Sequence, residues 1–180
     1  MIWSNQFVEL DKKVHDRDSF DCGELQLNSF LQTQAAKHMA VGISRTLLLP
    51  ATNTLPDGTL PICSFYTIAP GSIERETLSN DLAKKLPHYP VPVFLLAQLA
   101  VDVHCHSQGL GKITLIKALE NLWEINFNMR AYAVIVDCLN ENAEHFYQKF
   151  GFKFLCSHNG RKRLYIPMKT ISLLFGKNGI

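Results

Sequence analysis

The residues with the clearest chemical meaning are His106, Ser107, Gln108, Gly109, Leu110 and Gly111, followed by Lys112. They stand between an apolar run at 93–101, with the length and composition of a buried strand, and an amphipathic pattern through Leu122 that reads as a helix. A strand passing through a glycine-containing turn into a helix is one way to hold phosphate. The first helical N–H groups lack partners, the helix dipole is positive there, and glycine lets a ligand approach the main chain. The expectation is a pyrophosphate-bearing ligand at 106–112. The alternative is that both glycines serve only the geometry of the turn.

The neighbouring Asp102, His104, Cys105 and His106 invite a metal reading. Two histidines at i, i+2 around a cysteine match no common zinc spacing, and no second ligand pair follows. A nucleophilic Cys105 would need an orienting third group that no motif supplies. No metal is expected, and these read as loop residues beside the ligand.

Such a loop needs a scaffold. A chain of 180 residues can bury a real core as one domain, 1–180, and 47% hydrophobic with 19% charged residues is ordinary for a globular protein. No apolar run approaches the ~20 residues that span a bilayer. Residues 1–12 lack the basic-then-apolar pattern of a signal peptide, so the expected location is the cytoplasm, with no membrane partner. Cys22, Cys63, Cys105, Cys138 and Cys156 are odd in number and scattered, as reduced thiols would be. A net charge of +2 does not by itself argue for nucleic acid.

The periodicities predict a short strand at 7–10. A helix follows, capped by Asp21 or Cys22-Gly23, whose apolar face is Leu27, Phe30, Leu31 and Ala35. Strands at 44–50 and 62–69 flank a Pro56-Asp57-Gly58 hairpin turn, and 76–86 is a short charged helix ended by Pro87 and Pro90. Beyond the loop come a buried strand at 132–139, a helix capped by Asn140 and ended by Gly151, and strands 153–156 and 163–168 around a turn at 157–160. A small helix at 171–175 closes the chain. The order implies an α/β fold with a mixed sheet, antiparallel in its first half and parallel in its second.

Two motifs make this pattern specific. Residues 106–111 resemble the Q/R-x-x-G-x-G/A loop of the GCN5-related N-acetyltransferases, with His106 where Gln or Arg is usual and Ser107 where Gly is frequent. Residues 140–152, NENAEHFYQKFGF, resemble that family's closing N-x-x-A-x-x-F-Y-x-x-x-G-F segment. The stretches FDCGE, LNSFL, SRTLLL, FYTIAPGSIERE, LPHYPVPVFLLAQLAVD and IPMKTISLLF are similar to the acetyltransferase toxins of toxin–antitoxin pairs, from about residue 20 to 175.

The resemblance implies a single α/β domain with a mixed, twisted central sheet of about six or seven strands, flanked by helices and splayed after the fourth strand. It implies acetyl-CoA as co-substrate and the α-amino group of aminoacyl-tRNA as acceptor, so that translation is blocked. The implied partners are a ribbon-helix-helix antitoxin, operator DNA through it, and a second copy in a homodimer. Cofactor-binding residues would be Leu99, Ala100 and Val101 at the strand end, His106, Ser107, Gln108, Gly109, Leu110, Gly111 and Lys112 in the loop, and Asn140. Tyr147 would be the proton donor, since a phenol of pKa ~10 stays protonated at neutral pH. A tyrosine on an amphipathic helix is otherwise a packing residue, and Phe146 is the better core candidate of the two.

No carboxylate stands out as a general base. An α-amine, titrating near ~8, can lose its proton to water. Of the basic residues, Arg45, Arg75, Lys84 and Lys85 are the set expected to face the RNA or an acidic antitoxin tail, while any one cluster can be merely a solvated face. Two alternatives stay open: a protein N-terminus, lysine or small amine as acceptor, or a catalytically weak relative serving as an antitoxin and DNA partner.

Overall fold

The computed structural model describes residues 1–176. Its strands are β1 (Val8–Glu9), β2 (His15–Asp16), β3 (Arg45–Pro50), β4 (Leu60–Ile73), β5 (Val91–Val101), β6 (Ala133–Asp137), β7 (Lys153–His158) and β8 (Arg161–Pro167). Its helices are α1 (Leu25–Ser29), α2 (Ala35–Ala40), α3 (Asn80–Ala83), α4 (Leu110–Ile125), α5 (Glu141–Lys149) and α6 (Met168–Phe175). The strands form one mixed sheet in the order β1-β3-β4-β5-β6-β8-β7, with β2 against β4. Among the described residues no helix is long and apolar enough to cross a membrane. Among the described residues the sheet's main path holds seven strands, within the expected six or seven, and an eighth lies off it. The addition is β2, two residues pairing parallel with Leu60 and Pro61, too short to leave an alternating pattern in the sequence.

The chain divides into two compact units, Met1–Ala69 with Ala97–Ala118, and Pro70–Leu96 with the chain from Leu119. In the first, β3 and β4 form the predicted hairpin, antiparallel from Arg45↔Ile68 to Pro50↔Ile62 with an irregularity at Leu49/Pro50. Its turn is fixed by Asp57, whose Oδ1 accepts from the Thr59 N–H (2.9 Å) and hydroxyl (2.7 Å), and by Gly58 at φ +85°. The predicted stripe of Phe30, Leu31 and Ala35 is buried against Phe20, Leu48 and Phe65, each such side chain contributing roughly 1.5–3 kcal/mol apart from Ala. Phe20 meets Phe65 edge-on at 5.3 Å.

Capping of that helix differs from expectation. Glu24, not Asp21 or Cys22-Gly23, is the N-cap, and it makes no side-chain cap bond. Asp21 is used earlier: its Oδ1 accepts from the Gly23 N–H (2.8 Å) and Asn28 Nδ2 (2.7 Å), which fixes the bend before the helix. Between α1 and α2, Phe30–Gln34 widens into a π turn, a feature with no sequence signature.

In the second unit, β6 is antiparallel to β8 from Ala133↔Pro167 to Asp137↔Arg163, and β8 is antiparallel to β7. The predicted parallel half is therefore confined to β5 and β6, paired at Phe94↔Val134 and Leu95↔Ile135. The β7–β8 turn is tighter than 157–160. Asn159 (φ +49°) and Gly160 (φ +74°) make it alone, as two left-handed residues suit a two-residue hairpin. The helix expected at 76–86 shrinks to a 3-10 turn at Arg75–Thr77 and α3, where Ser79 accepts from the Leu82 N–H. Helix α6 starts at Met168, ahead of the predicted 171.

Candidate active site

The first unit contains the end of β5 and the loop that follows. Ala100 is buried in the unit's core, while Leu99 and Val101 are half-buried at i, i+2, so their main-chain N–H groups lie on the same strand edge. Asp102 ends the strand and is buried. Its N–H donates to the Cys63 carbonyl (2.9 Å), its Oδ2 accepts from the Asp21 N–H (3.1 Å), and its Oδ1 accepts from the His104 N–H (2.9 Å). His104 Nδ1 also lies 2.8 Å from Oδ1. The residue that looked like a metal ligand is thus the anchor of the strand exit. No group of three or more metal-ligating side chains of the His, Cys, Asp or Glu types occurs among the described residues.

Past a 3-10 turn at Val103–Cys105 the backbone goes left-handed twice, at Ser107 (φ +60°) and Gly109 (φ +78°), and α4 starts at Leu110. Helix geometry leaves the first N–H groups of α4 without carbonyl partners one turn back. Successive turns of opposite hand fold main-chain N–H groups into an anion-holding concavity. A Cβ added at Gly109 would meet nothing within 4 Å, so open space lies in front of the main chain there. The first turn of α4 carries no acidic residue and does carry Lys112. These residues fit a pyrophosphate.

His106 takes a different part from the glycines. Its ring Nε2 lies 2.7 Å from the Val101 carbonyl oxygen, which can only accept, so the ring nitrogen donates back to the strand end. Gln108 Nε2 donates to the His104 carbonyl at 3.3 Å. Leu110 is buried, and Thr114 Oγ1, 2.8 Å from the Leu110 carbonyl oxygen and 2.9 Å from Ser64 Oγ, ties the first turn of α4 to β4.

The second unit holds Tyr147. Asn140, extended at φ −156°, caps α5 by accepting from the Ala143 N–H at 3.0 Å, and Gly151 at φ +90° follows the helix. Tyr147 is buried with its ring 5.3 Å from Phe146 and 5.3 Å from Phe152, while Phe146 is only half-buried. The expected ranking of the two aromatics is thus reversed. Burial, then the nearby Cys138, pushes the Tyr147 phenol well above its ordinary value, so it keeps its proton. Burial likewise raises the Cys138 thiol to about 11. Helix α5 is tied to β8 by Lys162 Nζ, which donates to both Glu144 oxygens at 3.0 and 2.8 Å.

Residues 82–152 match the acetyltransferase (GNAT) family. Over 168 residues the chain is 30% identical to the tRNA-acetylating toxin of Mycobacterium tuberculosis, covering 92% of this chain and 95% of that protein. The chain belongs to the GNAT acetyltransferase family. Similar solved structures include AtaT complexed with acetyl-methionyl-tRNAfMet, with a TM-score of 0.81, 30% identity and coverage of 94% of this chain and 98% of that one. Another is a tyrosine-to-phenylalanine mutant of the AtaT toxin bound to the C-terminus of the antitoxin AtaR and acetyl-CoA, with a TM-score of 0.77, 26% identity and coverage of 94% and 97%.

As a GNAT acetyltransferase the protein is an N-acetyltransferase that draws on acetyl-CoA. Its predicted basic set is used unevenly. Arg45, in the first unit, pairs with Glu9 at 2.8 Å, with both side chains about half exposed, a pair worth ~0–1 kcal/mol. In the second unit Arg75 donates from Nη1 to the Leu86 (2.7 Å) and Pro87 (3.3 Å) carbonyls, whereas Lys84 and Lys85 are exposed. Sequence reasoning missed Asp102 as an anchor, although a carboxylate closing an apolar strand was a visible signal. It also missed Glu144 with Lys162, which no local spacing connects.

Proposed function

We propose that this GNAT enzyme is the toxin of a toxin–antitoxin pair and acetylates the α-amino group of the amino acid carried by a tRNA. The similarity to a tRNA-acetylating toxin over nearly the whole chain, in a protein that keeps both the phosphate loop and Tyr147, carries this reading. Residues 1–180 act as one acetyltransferase domain. The protein works in the cytoplasm as a homodimer, is neutralised by a ribbon-helix-helix antitoxin, and reaches operator DNA through that partner.

Acetyl-CoA supplies an activated acetyl thioester. The main-chain N–H groups at Ser107, Gln108, Gly109, Leu110 and Gly111, with the charge of Lys112, hold its pyrophosphate. The pairs of β5 with β6 are at Phe94 and Leu95, and the N–H groups of Leu99 and Val101, further along β5, are the ones to face the pantetheine arm and the oxygen on which charge develops. Ala100, packed in the core, fixes that stretch of strand. Tyr147 keeps its phenolic proton at neutral pH and gives it to the departing sulfur. Asn140 sets the first turn of the helix that carries Tyr147. The acceptor amine, with a pKa near ~8, reaches its neutral form without a dedicated base.

The test is labelled acetyl-CoA offered to charged and deacylated tRNA. Label should enter charged tRNA only and leave with the amino acid on mild alkaline deacylation. Label that stays on the RNA after deacylation, or that enters only free amines or proteins, would overturn the reading.

A further inference from the structure

The segment before β5 has an arrangement that the acetyl-transfer site does not use. Leu86 packs against the core of its unit and Val91 is buried, so residues 87–90 bridge two buried anchors. Between them Tyr89 stands 65% exposed. A solitary exposed aromatic is ordinary on a protein surface. This one is held in place on both sides. Pro87 and Pro90 fix their own backbone angles, and a residue that precedes proline is confined to extended conformations, which restricts Tyr89 itself. Arg75 Nη1 staples the start of the bridge through the Leu86 and Pro87 carbonyls. Lys84 and Lys85 are exposed just ahead of it, and His88 is exposed within it. Glu74 and Glu76 precede α3 in sequence and Asp81 lies in its first turn, so in sequence the positive end of the segment is the Tyr89 end.

An exposed aromatic on backbone restrained by two prolines, with two exposed lysines four and five residues before it in sequence, is the chemistry that receives a single-stranded nucleotide. Every base has a π face, so stacking works without reading sequence, and the ammonium groups hold the adjoining phosphates. Because two prolines already restrict the bridge, less entropy is lost when the base docks. We propose that Tyr89 is a stacking platform for an unpaired base at the aminoacyl end of the RNA substrate, with Lys84 and Lys85 on the neighbouring phosphates. The inference rests on the tRNA reading given above and adds to it the element that grips the RNA end.

Tyr89→Ala, Tyr89→Trp and the double variant Lys84→Ala/Lys85→Ala test it, through acetylation kinetics and through binding of intact tRNA and tRNA trimmed of its unpaired 3′ end. Tyr89→Ala should raise the KM for aminoacyl-tRNA roughly tenfold, the scale of losing one base–aromatic stack. It should leave the KM for acetyl-CoA unchanged, and Tyr89→Trp should restore wild-type behaviour. Trimmed tRNA should bind wild type and Tyr89→Ala equally. The double lysine variant should weaken binding of both RNAs and flatten its salt dependence.

An unchanged KM for aminoacyl-tRNA in Tyr89→Ala overturns the proposal. A raised KM for acetyl-CoA also overturns it, by placing the ring on the donor's adenine. Loss of antitoxin binding with RNA binding intact moves the surface to a protein partner and overturns it as well. Failure of the wild-type enzyme to acetylate any charged tRNA is a separate result, which strikes the tRNA reading itself.

Discussion

The imidazole Nε2 of His106 lies 2.7 Å from the carbonyl oxygen of Val101. This bond joins the first residue of the phosphate loop to the last residue of β5. It explains how a histidine can stand where the family usually has Gln or Arg. The ring braces the loop from the strand side, and in the proposed reading phosphate recognition falls to main-chain N–H groups that no side-chain change removes.

His106→Gln should therefore leave acetyl-CoA affinity within about threefold, because an amide can still donate to the Val101 carbonyl. His106→Ala, which removes the brace, should weaken it more. Calorimetric titration with acetyl-CoA measures both, and a tenfold or greater loss in His106→Gln would mean that the ring itself contacts phosphate.

At Gly109 the constraint is backbone conformation and not space, since φ is +78° and a Cβ would meet nothing within 4 Å. Gly109→Ala should cost about 1–2 kcal/mol, while Gly109→Asn should cost less because Asn visits the left-handed region more readily. Ser107, a non-glycine residue at φ +60°, runs the other way: Ser107→Gly should be neutral or slightly stabilising. Thermal melts rank the variants, and acetyl-CoA affinity should fall in the order Asn, then Ala, at position 109.

The proposed mechanism requires Tyr147 protonated, and burial has already moved its titration above the ordinary ~10 of a phenol. The rate should climb as the acceptor amine loses its proton near ~8 and should show no descending limb from this residue below pH ~10. Tyr147→Phe should lower kcat by about 10²-fold or more while folding and acetyl-CoA binding stay intact. A wild-type profile that turns down well below pH 10 would assign the proton to another group.

His15 predicts how stability responds to acid. It is a buried residue whose Nδ1 accepts from the Asp11 N–H at 3.0 Å, an arrangement that needs the neutral ring. Burial lowers its pKa from 6.5, outweighing the opposing influence of Asp11. The unfolded chain therefore binds the proton more readily, and stability present above about pH 6.5 is lost as pH falls below it. The melting temperature should drop between pH 7.5 and 5.5. His15→Gln should flatten that slope, and an equal slope in the variant would place the effect elsewhere.

The two motifs proposed to carry the chemistry are contiguous in sequence, and that made them legible. A strand, a glycine turn and a helix fix the phosphate loop within residues 93–122, and Asn140 with Gly151 fixes both ends of the helix that holds Tyr147. Local periodicity and capping chemistry are enough for this, because each depends on neighbours one to four residues away. The hairpin at Pro56-Asp57-Gly58 was legible for the same reason.

What the sequence by itself determined, then, was the family pattern, the α/β class and the residues of the loop and of α5. Tertiary structure alone decided how those residues are used. It buried Tyr147 and left Phe146 half-exposed, folded His106 back onto Val101, spent Arg75 on two backbone carbonyls and paired Lys162 with Glu144. Each depends on partners that no helical or strand period relates. A residue type states which bonds a side chain can make, and only the folded chain sets which partner lies within 3 Å of it.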